Sequence, residues 1–354
     1  MLPVLFTVAV PAGWGLPLSI LVVVVVAAVR AWAAVRAGRA DGHPLSPWSA
    51  LRADGWVLAV LLAAVAVAWR AGLLRGRLEL PLHTYGLLMA LAFLVGVMLA
   101  QREARRRGQD ADRIADLAFW ILVAALVGSQ VFYVALNLEE FTGPRFLADP
   151  PYQHLPRILL VWRIGLVFYG GFIGAALAAF VYMRRHRMPF LAYADTLIPS
   201  VAFGHFLGRL GCFSAGCCWG CLADPHLPWG VHFPAGSSAY QAFAGGGYPG
   251  SYLSADHLAT AALHPVQLYE AFGELGIFLL LVLWVRPRKR FHGEVLSAWL
   301  LAYAVLRGAL EAFRGDLARH AVLGLNSGQW ISVAILAAGA LLWLRAPRPV
   351  AAPG

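Results

Sequence analysis

The clearest apolar stretch in this sequence spans residues 114–136 and reads IADLAFWILVAALVGSQVFYVAL. It contains a single charged residue, Asp116, and is long enough to cross the hydrocarbon core of a bilayer as a helix, which takes about 20 residues. Comparable stretches recur along the 354 residues, of which 60% are hydrophobic and 13% are charged. A soluble domain carries about 25% charged residues. The composition therefore predicts a polytopic membrane protein and excludes a water-soluble enzyme or a disordered chain.

Nine such segments are predicted, and the expected fold is an all-α polytopic membrane protein with about nine transmembrane helices. We expect a two-helix transmembrane extension over 1–78, a core over 79–346 and a tail over 347–354. Two stretches, 138–161 and 211–264, are rich in polar residues, proline and glycine. They are predicted to be loops at the outer membrane face, and the second to be a structured head. The predicted segments are 16–35, 55–70, 82–100, 114–136, 162–183, 191–210, 265–285, 294–313 and 328–345.

The net charge of +10 is carried mainly by arginines in short clusters between apolar segments, such as 102–107, 184–187 and 286–290. Basic loops that alternate with less basic ones follow the positive-inside rule. The charge therefore indicates orientation, and we expect no nucleic-acid partner. Placing the basic clusters in the cytoplasm puts the N-terminus outside and the C-terminus inside, with the loop over 70–77 as the clear exception.

Charged residues inside the membrane segments are few, and such residues are costly in lipid and often functional. Arg307, Glu311 and Arg314 are spaced so that they would share one helix face. Two interpretations remain open: an internal ion pair that locks helix packing, or a charged face that lines a polar cavity. Because two arginines accompany one carboxylate, an anionic ligand would complete the charges in the second case.

Further polar motifs converge on the outer half of the predicted bundle. Arg209 lies between glycines in the stretch 204–211, which lets the backbone approach a ligand or another helix closely. A guanidinium group offers paired donors to phosphate, so a phospholipid with an anionic head is the simplest candidate ligand. The other motifs, each weak alone, are His83-Thr84-Tyr85-Gly86, Tyr169-Gly170-Gly171-Phe172-Ile173-Gly174 and His264-Pro265-Val266-Gln267-Leu268-Tyr269-Glu270.

The cysteines form a single cluster in the sequence, which consists of Cys212, Cys217, Cys218 and Cys221. Their spacing matches neither a ferredoxin run nor a zinc ribbon. Three alternatives are open: structural disulfides in an oxidising compartment, free thiols, and a metal or redox role. The acids at 110, 112 and 116 open a predicted helix, where negative charge is favoured. No pair of aspartates suits a divalent metal of the kind that phosphotransferases use, so no metal ion is predicted apart from the cysteine alternative, and we expect no cofactor.

In order and spacing, the motifs within residues 82–345 resemble the prolipoprotein diacylglyceryl transferase family. The resemblance covers about three quarters of the chain. It implies a core of seven transmembrane helices with a periplasmic head, to which the first two segments would be an addition. The matching stretches are Leu82–Gly86, Tyr169–Gly174, Gly208-Arg209-Leu210-Gly211-Cys212-Phe213 with Gly216, Trp219 and Gly220, His264–Glu270, Arg307-x3-Glu311-x2-Arg314 and Gly328-Gln329.

The resemblance implies a transferase of the bacterial inner membrane. It would move the diacylglyceryl group from phosphatidylglycerol to the lipobox cysteine of a prolipoprotein signal peptide, forming a thioether and releasing glycerol phosphate. We expect the active site toward the outer leaflet, with Arg209 and Arg307 on the phosphate and Glu311 orienting Arg307. The implied catalytic residues are Arg209, Arg307, Glu311, Tyr85 and Tyr169, and the implied substrate-binding residues are Arg209, Gly170, Gly171, Gly174, Gly211, Glu270, Arg314 and His264.

Three positions depart from the family pattern. Tyr169 stands where the family has a histidine, Cys212 replaces an asparagine, and Gln130 replaces an arginine. A tyrosine with a pKa near 10 is a poor base at neutral pH, which indicates a divergent branch. Two alternatives to the family reaction therefore follow: lipid transfer to another acceptor, and a non-enzymatic lipid-binding or redox protein built round the cysteines.

Overall fold

A computed structural model describes residues 4–10, 78–142, 167–315 and 325–345, with a few single positions between residues 17 and 70. The chain divides into two compact units. One comprises Met1–Leu5, His83–Ala135 and Gly165–Gly354, and the other comprises Phe6–Leu82 and Leu136–Ile164. The predicted segments over 16–35 and 55–70, most of the predicted loop over 138–161 and the predicted tail over 347–354 lie outside the described residues.

The described residues are mainly helical. Five of their helices are long and apolar enough to cross a membrane, and a shorter apolar helix covers Gly328–Leu344. Each predicted segment from the third to the ninth contains a helix. In chain order the elements are β1 (Val4–Val10), β2 (Leu78–His83), α1 (Thr84–Arg106), α2 (Ala111–Leu136), α3 (Leu138–Thr142), α4 (Phe168–Arg185), α5 (Phe190–Ala215), α6 (Ser238–Ala242), α7 (Val266–Leu280), α8 (Glu294–Leu310) and α9 (Ser327–Leu344).

The two short strands β1 and β2 pair into a two-stranded sheet, which the all-α prediction did not include. In β2, Leu78, Leu80 and Leu82 alternate with other residues, and this period of two is typical of a strand. The predicted segment over 82–100 therefore starts as a strand, and its helix α1 begins at Thr84.

Helix α2 begins three residues before the predicted segment because Asp110 caps it. Asp110 Oδ1 accepts hydrogen bonds from the backbone N–H groups of Asp112 at 3.0 Å and Arg113 at 3.2 Å. These groups have no partner inside the helix, and a side-chain oxygen at this position satisfies them. Asp110 therefore caps α2 and Asp112 lies in its first turn, where negative charge was expected to be favourable.

Helix α5 packs along both α1 and α7 and connects the parts of the first unit. Small residues at the α1 crossing permit close approach: a Cβ atom at Gly96 would lie 3.6 Å from the Ser200 carbonyl oxygen, and one at Gly204 would lie 3.8 Å from that of Ala92. The helix continues past the predicted end at residue 210 and stops at Gly216, which adopts a left-handed conformation with φ 66°. Glycine is favoured at such a C-terminal position.

The predicted head over 211–264 begins later than expected, because its first residues belong to α5. Residues 216–265 form a compact region with few regular elements, held by isolated antiparallel bridges such as Val231 with Leu263 and Leu253 with Thr260. This region has a small apolar core of its own, made of Trp219, Phe233, Ala239, Phe243 and Leu263. Residues 216–265 are therefore structured, and their location at the outer membrane face stays a prediction.

The opposite ends of these helices carry a separate polar network. Asp195 is fully buried; it accepts hydrogen bonds from the backbone N–H groups of Gly293 at 2.7 Å and Leu296 at 3.0 Å, and lies 2.7 Å from Lys289 Nζ. Glu103 pairs with Arg286 at 3.1 Å. The basic clusters at the ends of α1 and α7 therefore lie together, as their positions in the alternation of loops predicted.

The glycines of the 169–174 motif lie where α4 crosses α2. A Cβ atom at Gly170 would collide with the Gly128 carbonyl oxygen, one at Gly174 with that of Ala124, and one at Gly171 with the Ser129 hydroxyl. Glycine pairs of this kind let membrane helices pack closely. The structure therefore gives Gly170, Gly171 and Gly174 a packing role, while their predicted contact with a substrate stays a prediction.

We predict that Gly174→Leu destabilises the protein, because its side chain would have to enter the backbone of α2. Gly276→Ala in α7 is the matched control, since a Cβ atom there has nothing within 4 Å and alanine is favoured over glycine inside a helix by about 1 kcal/mol. Thermal unfolding in detergent should show a lower Tm for Gly174→Leu and an equal or higher Tm for Gly276→Ala. Equal melting of Gly174→Leu and the parent would contradict this crossing.

Candidate functional site

The first polar cluster lies where α5 meets α7, and its centre is an ion pair between Arg209 and Glu270. Arg209 Nη2 lies 2.8 Å from Glu270 Oε1, and the Glu270 side chain is fully buried. One turn earlier on α5, His205 Nε2 accepts a hydrogen bond of 3.2 Å from Arg209 Nε. His205 Nδ1 lies 2.8 Å from Glu274 Oε1, which fits a neutral imidazole that donates from Nδ1. The four side chains form one connected chain between the two helices.

Sequence analysis did not select His205 or Glu274, although each lies four residues from a residue that it did select. His205 precedes Arg209 on α5, and Glu274 follows Glu270 on α7. Ionisable residues spaced i, i+4 on two apolar helices share a face of each helix, and this pattern would have found both. Glu270 directly orients Arg209 in the structure, so its expected role as a substrate contact remains a prediction.

The second ion pair joins Arg307 to Glu311 at the end of α8. Arg307 Nη1 and Glu311 Oε2 lie 2.5 Å apart. A Cβ atom at Gly328 would lie 2.5 Å from the Glu311 carboxyl carbon, so glycine leaves the space that this carboxylate occupies. Gly328 lies in the first turn of α9, which a capping box of Asn326 and Gln329 fixes. A helix N-terminus favours a nearby negative charge, and Glu311 is thereby held in place from two sides.

Arg314 does not share a helix face with Arg307 and Glu311, so this part of the prediction is wrong. The chain tightens into a 3-10 turn over Glu311–Phe313, and Arg314 then becomes extended, with φ −75° and ψ 133°. In this conformation it forms an antiparallel bridge with Gly220 in the cysteine-rich loop. The buried Arg314 side chain lies within electrostatic range of Cys218.

Tyr303 has members of both ion pairs within electrostatic range. It lies one turn before Arg307 on α8, within electrostatic range of Arg209, Glu270 and Arg307. Its ring stacks on that of Trp299, with centroids 5.3 Å apart and an interplanar angle of 4°. The sequence showed no motif that would have selected this tyrosine.

Tyr85 lies at the start of α1, against the backbone of α5. A Cβ atom at Gly211 would lie 3.1 Å from Tyr85 Cδ2, and the tyrosine is 41% exposed and within electrostatic range of Arg209. The structure thus brings together Tyr85, Gly211 and Arg209, as expected from their motifs. Tyr169 is the second residue of α4, and its catalytic role stays a prediction.

His264 precedes α7 and contacts the end of α8. Its Nδ1 lies 3.3 Å from Tyr269 Oη, which accepts a hydrogen bond of 2.8 Å from Trp229 Nε1. The His264 and Phe313 rings have centroids 5.2 Å apart. His264 therefore joins the head to α7 and α8, beside the second ion pair.

Three of the cysteines lie together at the end of α5. The Sγ atoms of Cys212, Cys217 and Cys218 are all within 4.8 Å of one another, and Cys221 is not part of this group. All four are free thiols, so the structure favours the free-thiol and metal alternatives over structural disulfides. Three convergent sulfur atoms are the one group of side chains among the described residues with the arrangement to hold a metal ion.

The thiols of the cluster differ in acidity because of their hydrogen bonds and charges. Hydrogen bonds from Cys212 and Cys217, followed by the nearby guanidinium groups of Arg209 and Arg314, lower the pKa of the Cys218 thiol. Hydrogen bonding to Cys212 and Cys218 instead raises the pKa of Cys217, and burial adds to this effect. One negative charge in the cluster is therefore favoured on Cys218, the cysteine that faces both arginines.

An apolar groove of about 330 Å³ runs along α1, α2 and α5. Met89 and Gly204 line the groove, and Tyr85 and Arg209 lie about one turn further along their helices. A Cβ atom at Gly208 would lie 3.6 Å from Met89 Sδ, which shows that the two helices stay close between the groove and the charges. The site therefore pairs a cationic end with a long apolar wall.

Comparison with known proteins identifies the family that this chain resembles. The family model described as prolipoprotein diacylglyceryl transferase matches residues 73–345. Three relatives carry the name phosphatidylglycerol–prolipoprotein diacylglyceryl transferase. The protein of Methylibium petroleiphilum is 32% identical over 76% of this chain and 93% of its own length. That of Thermosynechococcus vestitus is 31% identical over 73% and 87%, and that of Nostoc sp. is 30% identical over 75% and 86%.

We predict that Cys218 is alkylated by iodoacetamide at a lower pH than Cys217 is. The lowered pKa of Cys218 leaves its thiolate present well below the ordinary thiol value of about 8.5, whereas the raised pKa of Cys217 keeps that thiol protonated. The measurement is peptide mass spectrometry of chelator-treated full-length protein across a pH series, with glutathione as the free-thiol reference. Alkylation of Cys217 ahead of Cys218 at low pH would contradict the assignment.

Proposed function

The chain belongs to the prolipoprotein diacylglyceryl transferase family, and we propose that Arg209 and Arg307 form the phosphate site of its active centre. The protein transfers the diacylglyceryl group from phosphatidylglycerol to the cysteine thiol of a prolipoprotein, and it is a bacterial membrane enzyme. The observation that carries the assignment of the site is that Arg209, held by the buried carboxylate of Glu270, lies about one turn beyond an apolar groove.

The groove and the charges match the two parts of a phospholipid. Acyl chains would lie along the apolar wall of α1, α2 and α5, and the phosphate would then reach Arg209, one turn beyond the groove. Arg209 is 16% exposed and its partner Glu270 is fully buried, so the guanidinium group is held from inside while part of it stays accessible. Tyr85, at the same end of α1 and on the exposed side, would contact the head group.

The ion pairs prepare the arginines for a charge that grows during the reaction. The acceptor sulfur attacks the glycerol carbon that carries the phosphate, and the carbon–oxygen bond breaks with its electron pair on the leaving glycerol phosphate. Donors fixed in advance stabilise such a leaving group without reorganising. Glu270 fixes Arg209, and Glu311, itself held at Gly328, fixes Arg307. Arg314, bridged to Gly220, would add positive charge on the side of the cysteine cluster.

The positions of the site residues predicted from the family pattern support their proposed roles to different degrees. Arg209, Arg307, Glu311, Tyr85 and Gly211 lie close to the groove or to one another. Arg314 and His264 lie on the side of the head. The glycines at 170, 171 and 174 support helix packing in the structure, and Tyr169 is proposed from its sequence position alone.

We further propose nine membrane segments, with residues 1–78 as an added pair of helices before the core. The basic network around Glu103, Asp195 and Lys289 would lie in the cytoplasm by the positive-inside rule. The ion pairs, the cysteine cluster and the head of residues 216–265 would then face the outer leaflet. This orientation places the acceptor cysteine of a translocated precursor on the side of the active centre.

We predict that Arg209→Ala lowers kcat/KM for diacylglyceryl transfer by about 100-fold or more, the typical cost of removing one fixed donor to a developing negative charge. Arg209→Lys should cause a smaller loss, because it retains the charge and loses the paired donors. The assay incubates purified protein with phosphatidylglycerol vesicles and a lipobox peptide, and the product is a peptide heavier by one diacylglyceryl unit.

The control is Arg105→Ala, which removes an exposed arginine at the other end of α1 and should leave transfer unchanged. Phosphatidylcholine vesicles should give no product. Absence of product from the parent protein with phosphatidylglycerol would contradict transfer to a lipobox thiol and favour another acceptor. Normal transfer by Arg209→Ala would contradict the assignment of Arg209 to the phosphate site and would leave the transferase function unaffected.

We predict that Gly328→Ala lowers transfer by displacing the Glu311 carboxylate and, with it, Arg307. The control is Gly308→Ala, because a Cβ atom there would meet Ser332 at an ordinary 3.6 Å. Both variants keep every charge, so a difference between them reports on geometry. Transfer rates should be read beside the Tm of each variant, and equal rates at equal Tm would show that the position of Glu311 is not critical.

A further inference from the structure

The cluster of Cys212, Cys217 and Cys218 has no part in the phosphate site, yet it lies beside it. Arg209 is within electrostatic range of Cys212 and Cys218, and Arg314 is within range of Cys218. Tyr85, at the mouth of the groove, is within range of all three. Three sulfur atoms therefore lie next to the place where the lipid's phosphate and the attacking thiol must meet.

We propose that Cys212, Cys217 and Cys218 bind a zinc ion whose fourth coordination position takes the lipobox cysteine of the prolipoprotein. The proposal rests on the proposed function, since it assigns the means by which the acceptor thiol is activated. Catalytic zinc sites keep three protein ligands and one open position. The cluster supplies three ligands, and Cys221 lies outside it.

The geometry of the cluster is close to that of a tetrahedral thiolate site. Zinc–sulfur bonds of about 2.3 Å at tetrahedral angles place sulfur atoms about 3.8 Å apart. The three Sγ atoms lie within 4.8 Å of one another, so each needs to move by less than a bond length. A disulfide would instead bring two sulfurs to about 2.05 Å and leave the third without a partner.

The loop that carries two of the ligands is fixed by the surrounding fold. Cys217 N donates to the Cys212 carbonyl at 3.1 Å, and Gln267 Nε2 donates to the Cys217 carbonyl at 2.8 Å. Cys218 adopts a left-handed conformation with φ 57°, which residues with a Cβ atom rarely adopt. The backbone is thus held in a disfavoured conformation that turns three side chains toward one point.

The next residues anchor this loop to the end of α8. Cys221 N donates to the Phe313 carbonyl at 2.8 Å, and Gly315 N donates to that of Trp219 at 3.3 Å. A Cβ atom at Gly315 would lie 2.5 Å from the Gly220 carbonyl oxygen, so the two strands of backbone are in close contact. This contact also places Arg314 beside the sulfurs.

The charges and ligand types favour zinc. Thiolate ligands select zinc and cuprous ions over magnesium and calcium, which prefer oxygen. Three thiolates and one Zn²⁺ carry a charge of −1, and a fourth thiolate makes it −2. The guanidinium group of Arg314 lies within electrostatic range of Cys218 and lowers the cost of this negative charge. A divalent ion with a vacant tetrahedral position leaves room for the substrate.

The proposed reaction needs no base from the protein. The acceptor thiol binds zinc as a thiolate, because a coordinating thiol is deprotonated, and its proton goes to water. The sulfur then attacks the glycerol carbon, and the breaking carbon–oxygen bond leaves its electron pair on the phosphate near Arg209. The neutral thioether is a weaker ligand than the thiolate and leaves the metal. Activation of the acceptor thiol by zinc would explain two departures from the family pattern: Tyr169 stands where the family has a histidine, and Cys212 stands where it has an asparagine.

The test uses the full chain in phosphatidylcholine nanodiscs, where no transfer occurs, with Co²⁺ as the spectroscopic probe for the zinc site. We expect tetrahedral cobalt bands with thiolate charge-transfer absorption in the parent protein. Cys212→Ser, Cys217→Ser and Cys218→Ser should each weaken Co²⁺ binding by about 100-fold or more, since even outer-sphere changes cost 10- to 100-fold. The matched control Cys221→Ser should bind as the parent does.

A second measurement needs no variant. X-ray absorption of the zinc-loaded parent should give three sulfur neighbours at about 2.3 Å. Adding a lipobox peptide should raise the number to four, while the same peptide with serine for cysteine should leave it at three. A count that does not rise with the cysteine peptide would overturn the fourth-position assignment.

Other outcomes separate the inference from the function. If the parent binds neither Co²⁺ nor zinc, if its intact mass shows a disulfide, or if chelated protein transfers at the full rate, the zinc site is overturned while the transferase function stands. If the peptide joins the metal and no diacylglyceryl group is transferred to it from phosphatidylglycerol vesicles, the proposed function fails and the metal site remains.

Discussion

The arrangement of this site depends on keeping ionised groups inside an apolar bundle. A charged side chain in a membrane helix is costly, and it is tolerated when it pairs within the protein. Arg209 with Glu270 and Arg307 with Glu311 are such pairs, and both carboxylates are buried while their arginines remain partly exposed. The carboxylates are therefore structural counter-charges, and the guanidinium groups are the parts that can meet a ligand.

This constraint explains why the same few elements recur around the site. Helix α5 supplies His205, Arg209 and Cys212, and it lies between α1 and α7, so neighbours on both sides reach its polar face. The end of α8 supplies Arg307, and its tightened last turn directs the chain to Gly220 in the cysteine loop. The fold thus joins ion pairs and thiols through backbone contacts, which hold the sulfurs beside the arginines.

The sequence predicted the helices of this structure better than their ends, the strands and the break before Arg314. Seven of the predicted apolar segments contain a helix. A helix that crosses lipid needs a long run of apolar residues, and such a run can be recognised from the local sequence. The ends were less accurate: α5 continues through Gly211 to Ala215 and stops at Gly216, which adopts a left-handed conformation. The strand β2 was missed although its leucines alternate. The break before Arg314 was also missed, because a 3-10 turn at the end of a helix depends on what the chain must reach next.

Some residues of the site could likewise be predicted from local motifs, whereas others are brought together only by the fold. Arg209 and Tyr85, which were predicted from motifs, lie near each other, and i, i+4 spacing alone would have added His205 and Glu274. The meeting of Cys212 with Cys217 and Cys218 could not be read from spacing, since it requires a helix end, a left-handed Gly216 and a left-handed Cys218 in succession. These are tertiary facts that the composition does not encode. In the structure, Arg209 lies within electrostatic range of Cys212 and Cys218, and Arg314 lies within range of Cys218. Chemistry that needs both a leaving phosphate and a thiolate is best served where the groups that bind them lie side by side.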